Sequence, residues 1–171
     1  MSIPNPRFYE RLMKDIRYVL GHFPTRNLVR LRAEVRQGGV IRHTYTDNDG
    51  RGCVLNVLSR GMPPGMQITD KPSLVRFFTG GFSAAHMGLP EYQPAKYLVK
   101  IWDGNPEAIE RYGTAVPLSE EVLIEILNQV IRERIALHEQ ERQVRTRALE
   151  RLQTRSARVE DGTRMSNPGG I

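Results

Sequence analysis

The feature that most constrains this chain is a long stretch of helical periodicity toward its C-terminal end. Large apolar residues recur there at steps of three, four or seven residues: Leu123, Leu127, Val130, Leu137 and Val144. That spacing places side chains on one face of an α-helix. The Ser-Glu-Glu sequence before the stripe is typical of a helix start, because serine caps the first turn and carboxylates complement the helix dipole. The pattern predicts one long helix and a mainly α fold.

This predicted helix changes character near residue 138. Between residues 142 and 158, six arginines stand against one carboxylate, that of Glu150. Such a helix has three uses: a solvated surface, a contact with a partner helix, or a contact with nucleic-acid phosphates. Four of the arginines follow one another at steps of four, four and three residues and therefore share a face. The predicted binding residues are Arg142, Arg145, Arg147, Arg151, Arg155 and Arg158.

The rest of the chain contains shorter apolar stripes separated by glycine and proline. Proline suits the first turn of a helix, where its missing N–H costs nothing, and glycine commonly follows the last turn. Thr25 is the predicted N-cap of the second helix, and Thr69 or Asp70 that of the third. We predict helices over residues 6–22, 26–37, 71–78 and 94–103, and a loop with one helical turn over 107–118.

The predicted elements divide the chain into three parts. Residues 1–138 form a helical globular domain, and residues 139–158 form a basic helical extension that projects into solvent. Residues 159–171 are polar and contain glycine and proline, so we expect a disordered tail there.

Residues 40–46 are rich in β-branched and aromatic side chains, which favours a short β element in an otherwise helical domain. An Asp-Asn-Asp-Gly sequence follows and predicts a turn, because Asp and Asn side chains bond nearby backbone and Gly adopts positive φ. The next segment, Cys-Val-Leu-Asn-Val-Leu-Ser, fits either a second strand or a short buried helix. Periodicity does not separate the two over so few residues.

Residues 39–58 carry a short motif, D-G-x-x-C-x-L-x-x-L, which ends at Leu58. This stretch resembles an uncharacterised family of small helical bacterial proteins, in which an acidic Asp-Gly turn leads into a cysteine-containing helix. Asn56 stands where that family has glycine. The resemblance implies that the segment after Cys53 begins a buried helix, and it implies no activity.

Composition argues against several classes of protein. The single cysteine excludes an intramolecular disulfide, and no run of about 18 apolar residues is present to cross a membrane. The first twenty residues lack the apolar segment of a secretion signal, so we expect a cytoplasmic protein. The net charge of +6 comes from 21 arginines and four lysines against 19 carboxylates. GC-rich codon usage also favours arginine, so the placement of the arginines is more informative than their number.

Cys53 carries the one enzymatic hypothesis. A thiol nucleophile needs a base and an orienting carboxylate, which His43 with Asp47 or Asp49 would supply if the flanking segments pair. A free cysteine with apolar neighbours is more commonly a core residue. The spacing of the cysteine and the four histidines fits no metal site, and no phosphate-binding motif is complete, so we expect neither metal nor cofactor.

The sequence therefore leaves three functions open. The first is a non-enzymatic adaptor that docks a protein or a nucleic-acid backbone through the arginine-rich helix. The second is a small enzyme that uses Cys53 with His43. The third is a structural subunit of a larger assembly, such as a homo-oligomer. The concentration of arginine on one predicted helix favours the first.

Overall fold

The computed structural model describes residues 6–81 and 88–164, with side chains through residue 158. This part of the chain contains seven α-helices, which confirms the mainly α prediction. It divides into two compact units, Met1–Ile131 (unit 1) and Arg132–Ile171 (unit 2). The helices are α1 Pro6–Gly21, α2 Thr25–Arg36, α3 Val54–Ser59, α4 Lys71–Thr79, α5 Gln93–Trp102, α6 Ile109–Tyr112 and α7 Glu120–Arg164.

The apolar stripes of the helices form the core of unit 1. On α1 the stripe predicted from the sequence is buried, with Ile16, Val19 and Leu20 fully inaccessible. This helix packs against α5 and α6, while α2 packs against α3. Burying one such aliphatic side chain contributes roughly 1.5–3 kcal/mol relative to leaving it exposed. The first turns of α7 bury Leu123 and Leu127 in the same core.

A buried carboxylate joins α1 to α6. Asp15 is only 3% exposed. The Arg111 guanidinium donates to both of its oxygens, through Nε to Oδ2 and through Nη2 to Oδ1 at 2.8 Å. The Tyr112 hydroxyl donates to Oδ2 at 2.7 Å. A buried charge is tolerated only when it is paired and hydrogen-bonded, so these three side chains act as one cluster.

Residues 40–46 form no strand, which corrects the β element predicted there. The segment makes two isolated β-bridges, both to Gly52, from Val40 and Thr46. The backbone bonds across the turn are too few for a ladder: the Ile41 N–H donates to the Gly52 carbonyl and the Cys53 N–H donates to the Tyr45 carbonyl, both at 3.0 Å. A Cβ at Gly52 would lie 2.0 Å from Asn56 Oδ1, so a larger residue there would force the Asn56 side chain to move.

Side-chain contacts, rather than a β-sheet, fix the position of residues 40–46. Trp102 Nε1 donates to the Ile41 carbonyl at 2.9 Å. Arg42 Nη2 donates to the Leu118 carbonyl at 2.9 Å, and its guanidinium lies 4.1 Å from the centre of the Trp102 ring. These contacts hold the segment against Trp102 of α5 without a β ladder.

The segment after Cys53 is a helix, as the family resemblance implied. All six residues of α3 are buried, including the polar Asn56 and Ser59. Asn56 Nδ2 donates to the Ile68 carbonyl at 2.7 Å, and the Ile68 N–H donates to Ser59 Oγ at 2.8 Å. These bonds satisfy the polar side chains and attach the loop before α4.

Helix caps agree with the sequence in two of three places. Asp70 accepts from the Ser73 N–H at 2.8 Å and forms a capping box with Ser73, as one of the two predicted caps of α4. The Ser119 hydroxyl accepts from the Val122 N–H at 3.3 Å at the start of α7. The prediction for α2 is wrong, because Pro24 occupies its N-cap and Thr25 is already helical.

Among the described residues, unit 2 consists of the rest of α7, residues 132–164. Every residue from 135 to 158 is exposed. The helix continues to Arg164, so residues 159–164, assigned to the tail from the sequence, are helical. Residues 165–171 lie outside the described residues. Within the described ranges, no helix combines the length and apolar character needed to cross a membrane.

Candidate functional site

Four arginines form one open surface on unit 2. Arg147, Arg151, Arg155 and Arg158 line it together with Glu150 and Thr154. We call the four arginines the cationic face. A rise of about 1.5 Å per residue spreads them over roughly 16 Å of helix. Because one helix cannot enclose a cavity, this surface suits an extended partner rather than a small molecule.

The other two predicted binding residues lie on a different side of the helix. At about 100° per residue, Arg145 lies roughly 60° from Ala148 in one direction, and Arg151 lies roughly 60° from it in the other. Arg142 is one turn before Arg145 on the same side. The six predicted residues thus share one segment of α7 but form two rows rather than a single face.

The cationic face is electrostatically unfavourable on its own. Arg147 and Arg151, and again Arg151 and Arg155, are neighbours at i and i+4 on exposed helix. Each like-charge pair at that spacing destabilises a helix by about 0.2–0.5 kcal/mol. An anion bound along the face would replace this repulsion with attraction.

The structure places two residues of the enzymatic hypothesis at one small cavity. His43 and Cys53 both line a cavity of about 50 Å³, together with Tyr45 and Asp103. Burial raises the pKa of the Cys53 thiol above its ordinary value. Burial also raises the pKa of Tyr45. The surroundings of the thiol therefore disfavour the thiolate, which is the nucleophilic form.

The two carboxylates proposed to orient His43 serve the adjacent turn instead. Asp47 Oδ1 accepts from the N–H groups of Asp49 and Arg51 at 3.0 and 2.8 Å, and its Oδ2 accepts from Arg51 Nε at 2.7 Å. Neither Asp47 nor Asp49 lines the cavity.

Asp103 is the carboxylate that sequence reasoning missed. Its Oδ1 accepts from the His43 backbone N–H at 2.8 Å. The bond holds His43 with φ at +66°, a left-handed conformation that residues other than glycine rarely adopt. Asp103 is 60 residues from His43 and lies in the turn after α5, so no local pattern links the two.

The aromatic side chains of α5, its N-cap and α6 belong to the core. Tyr92, Tyr97, Trp102 and Tyr112 are at most 9% exposed, so their rings are not available to stack on a ligand. Among the described residues, no group of three or more His, Cys, Asp or Glu side chains could hold a metal ion. His86 lies outside the described residues.

Comparison of the chain with protein-family models, curated proteins and solved structures finds no match. The resemblance of residues 39–58 to a family of small helical proteins therefore stays a prediction.

Proposed function

We propose that this chain is a non-enzymatic docking protein that binds an anionic partner through the basic segment of α7. One observation carries the proposal. Residues 135–158 form 24 consecutive exposed positions of one helix, and the cationic face lies within them. Isolated helices are marginal in water, and most helices are stabilised by packing an apolar face. A helix without such packing gains stability when a ligand binds it.

The composition of the segment favours an anionic partner. Six arginines and one glutamate between residues 142 and 158 give the segment a net charge of +5, since 6 − 1 = 5. Arginine presents planar N–H donors that match carboxylate and phosphate oxygens. A partner rich in either group would neutralise the repulsion along the cationic face.

The second candidate function is a small enzyme that uses Cys53 with His43. The shared cavity favours it, because it brings both residues to one place. Its volume of about 50 Å³ leaves little room for a substrate, since pockets that hold small molecules are typically about 300–1,000 Å³. The raised pKa of the thiol also opposes nucleophilic catalysis.

Heparin chromatography of the full chain tests the docking function. The variant R147Q/R151Q/R155Q removes three charges from the cationic face, and glutamine preserves helix propensity. The matched control, R11Q/R26Q/R36Q, removes three exposed arginines from unit 1. We expect the first variant to elute at clearly lower salt than the control. Equal elution of the two variants would show that only total charge matters and would overturn the proposal.

Truncation gives a second readout of the same function. Removing residues 139–171 leaves all of unit 1 present, so we expect a folded protein with weakened heparin retention. Light scattering of the full chain addresses the structural-subunit alternative. A stable monomer is the result expected for a docking protein, and a defined homo-oligomer would favour the alternative.

A further inference from the structure

We propose that the partner is duplex DNA, and that residues 142–158 of α7 lie in its major groove. This inference rests on the proposed docking function and names the ligand of the same surface. A B-DNA major groove is about 12 Å wide and admits an α-helix of about 10–12 Å diameter. The 17 residues span about 25 Å at 1.5 Å per residue, which is less than one turn of the duplex.

A narrow strip of aliphatic residues runs between the two rows of arginines. Val144, Ala148 and Leu152 follow one another at steps of four residues. Val144 and Leu152 lie about 40° from Ala148, on opposite sides of it. Val144 and Leu152 are 65% and 61% exposed, so the strip is accessible to a partner. Aliphatic side chains of this kind contact the thymine methyl groups at the floor of the groove.

The arginines flank this strip on both sides. Arg145 and Arg142 lie about 60° and 120° to one side of Ala148. On the other side, Arg147, Arg151 and Arg155 each lie about 60° from the strip residue three positions before them. A helix in the major groove has a phosphate backbone along each side. Two rows of arginine with a strip between them match two phosphate walls with base edges between them.

The face opposite the strip is the least basic part of the segment. Glu150 and Ala157 lie about 160° and 180° from Ala148 on an ideal helix. The single carboxylate of the segment, which also lines the open surface of the cationic face, therefore lies at the edge of that surface farthest from the strip. Orientation in the groove keeps this carboxylate on the solvent side.

A partner helix fits the segment less well than DNA. A coiled-coil seam repeats apolar residues every seven positions. Seven residues after Val144 comes Arg151, and seven after Ala148 comes Arg155. Seven residues before Ala148 comes Glu141. Charged residues thus occupy the positions at which a second helix would need apolar ones.

Fluorescence anisotropy with the full chain and a labelled duplex of about 20 base pairs measures the phosphate contacts. Four to six arginine–phosphate contacts give a slope of log K against log salt of about −3.6 to −5.4. Between about 50 and 200 mM NaCl, affinity then falls roughly 150- to 1,800-fold. R147Q/R151Q/R155Q reduces the slope by about 2.7. An affinity independent of salt would overturn the proposal.

Two substitutions of identical chemistry test the orientation in the groove. Ala148→Glu places a carboxylate on the strip, and Ala157→Glu places one on the opposite face. Both alanines are exposed, and both variants change the net charge equally. We expect Ala148→Glu to weaken duplex binding by about tenfold or more and Ala157→Glu by about threefold or less. Equal weakening would refute binding in the groove.

Competitors separate failure of this inference from failure of the docking function. We expect unlabelled duplex DNA to compete better than duplex RNA, whose deep, narrow major groove excludes a helix. Poly-L-glutamate and single-stranded DNA should compete weakly. If poly-L-glutamate competes best while the heparin result holds, the partner is an acidic protein, so the DNA inference is wrong and the docking function stands. If substitutions in the cationic face also lower heparin retention no more than the control substitutions do, both the DNA inference and the docking function are wrong.

Discussion

Replacing Asp15 by alanine is expected to be among the most damaging single changes in unit 1. The substitution removes three hydrogen bonds to a carboxylate that is 3% exposed. It leaves the Tyr112 hydroxyl, in a side chain only 1% exposed, without its acceptor. It also leaves the Arg111 guanidinium without its counter-ion.

The magnitude follows from the burial of the partners. Hydrogen bonds to charged groups contribute about 1.5–3 kcal/mol each, so simple addition over three bonds gives about 4.5–9 kcal/mol. The Arg111 side chain is 24% exposed, so water recovers part of that loss. Breaking a buried ion pair costs about 3–5 kcal/mol. We therefore expect about 3–4 kcal/mol, a large part of the 5–15 kcal/mol that stabilises a typical domain.

Urea unfolding followed by the fluorescence of Trp102 measures this loss. Trp102 is the one tryptophan of the chain and is 1% exposed in unit 1. The matched control is Asp49→Ala, whose carboxylate is 80% exposed and 3.6 Å from Arg51. We expect this control to cost less than about 0.5 kcal/mol, because exposed ion pairs contribute little.

A double-mutant cycle completes the test. Adding Arg111→Met to Asp15→Ala removes the uncompensated cation, so the double variant should be less destabilised than the sum of the two single variants. A loss below about 1 kcal/mol for Asp15→Ala would refute the reasoning, since a structural cluster at this burial cannot be so weak. If the losses of unfolding free energy of the two single variants add up to that of the double variant, Asp15 and Arg111 are not energetically coupled.

Three further measurements test other contacts. Burial raises the pKa of Tyr112 above its ordinary value of 10.0, so its contribution to stability is present below about pH 10 and is lost as pH rises further. Tyr112→Phe should reduce the decrease of the urea midpoint at alkaline pH. An unchanged decrease would show that the raised pKa of Tyr112 does not cause it. Burial also raises the pKa of the Cys53 thiol, so native protein should resist iodoacetamide near neutral pH until urea is added; rapid native labelling would favour the enzyme hypothesis instead. Asp70→Ala should cost about 1 kcal/mol, measured by urea unfolding, while Asp70→Asn retains most of the cap, and equal losses would contradict the capping role.

Most helices could be predicted from the sequence because the apolar stripes and capping residues that define a helix lie within it or next to it. The stripe of α1 and the capping signal of α4 lie within a few residues of the helices they define. The strand prediction for residues 40–46 was wrong because residues with high β propensity favour half-buried positions in general, and not only those in a strand. Whether a partner strand exists depends on residue 52 and on the distant Trp102, which local composition does not encode.

The candidate sites also differ in whether local sequence patterns could reveal them. The arginines of α7 could be found from the sequence because helical spacing alone places them on shared rows. The cavity beside Cys53 could not, because it depends on Asp103 and the positive φ of His43. Likewise, Asp15 and Arg111 are 96 residues apart, and no pattern in the sequence pairs them.

The exposure of residues 135–158 has a practical consequence for proteolysis. Trypsin cleaves after arginine but requires several residues of extended backbone, so a helix is cut only when it opens locally. Unpacked helix opens at a small free-energy cost, whereas the arginines of α1 and α2 become cleavable only when packed structure opens. Limited digestion should therefore cut this segment before α1 and α2. A ligand that covers the cationic face would delay this cleavage, and the protected fragment would mark its footprint.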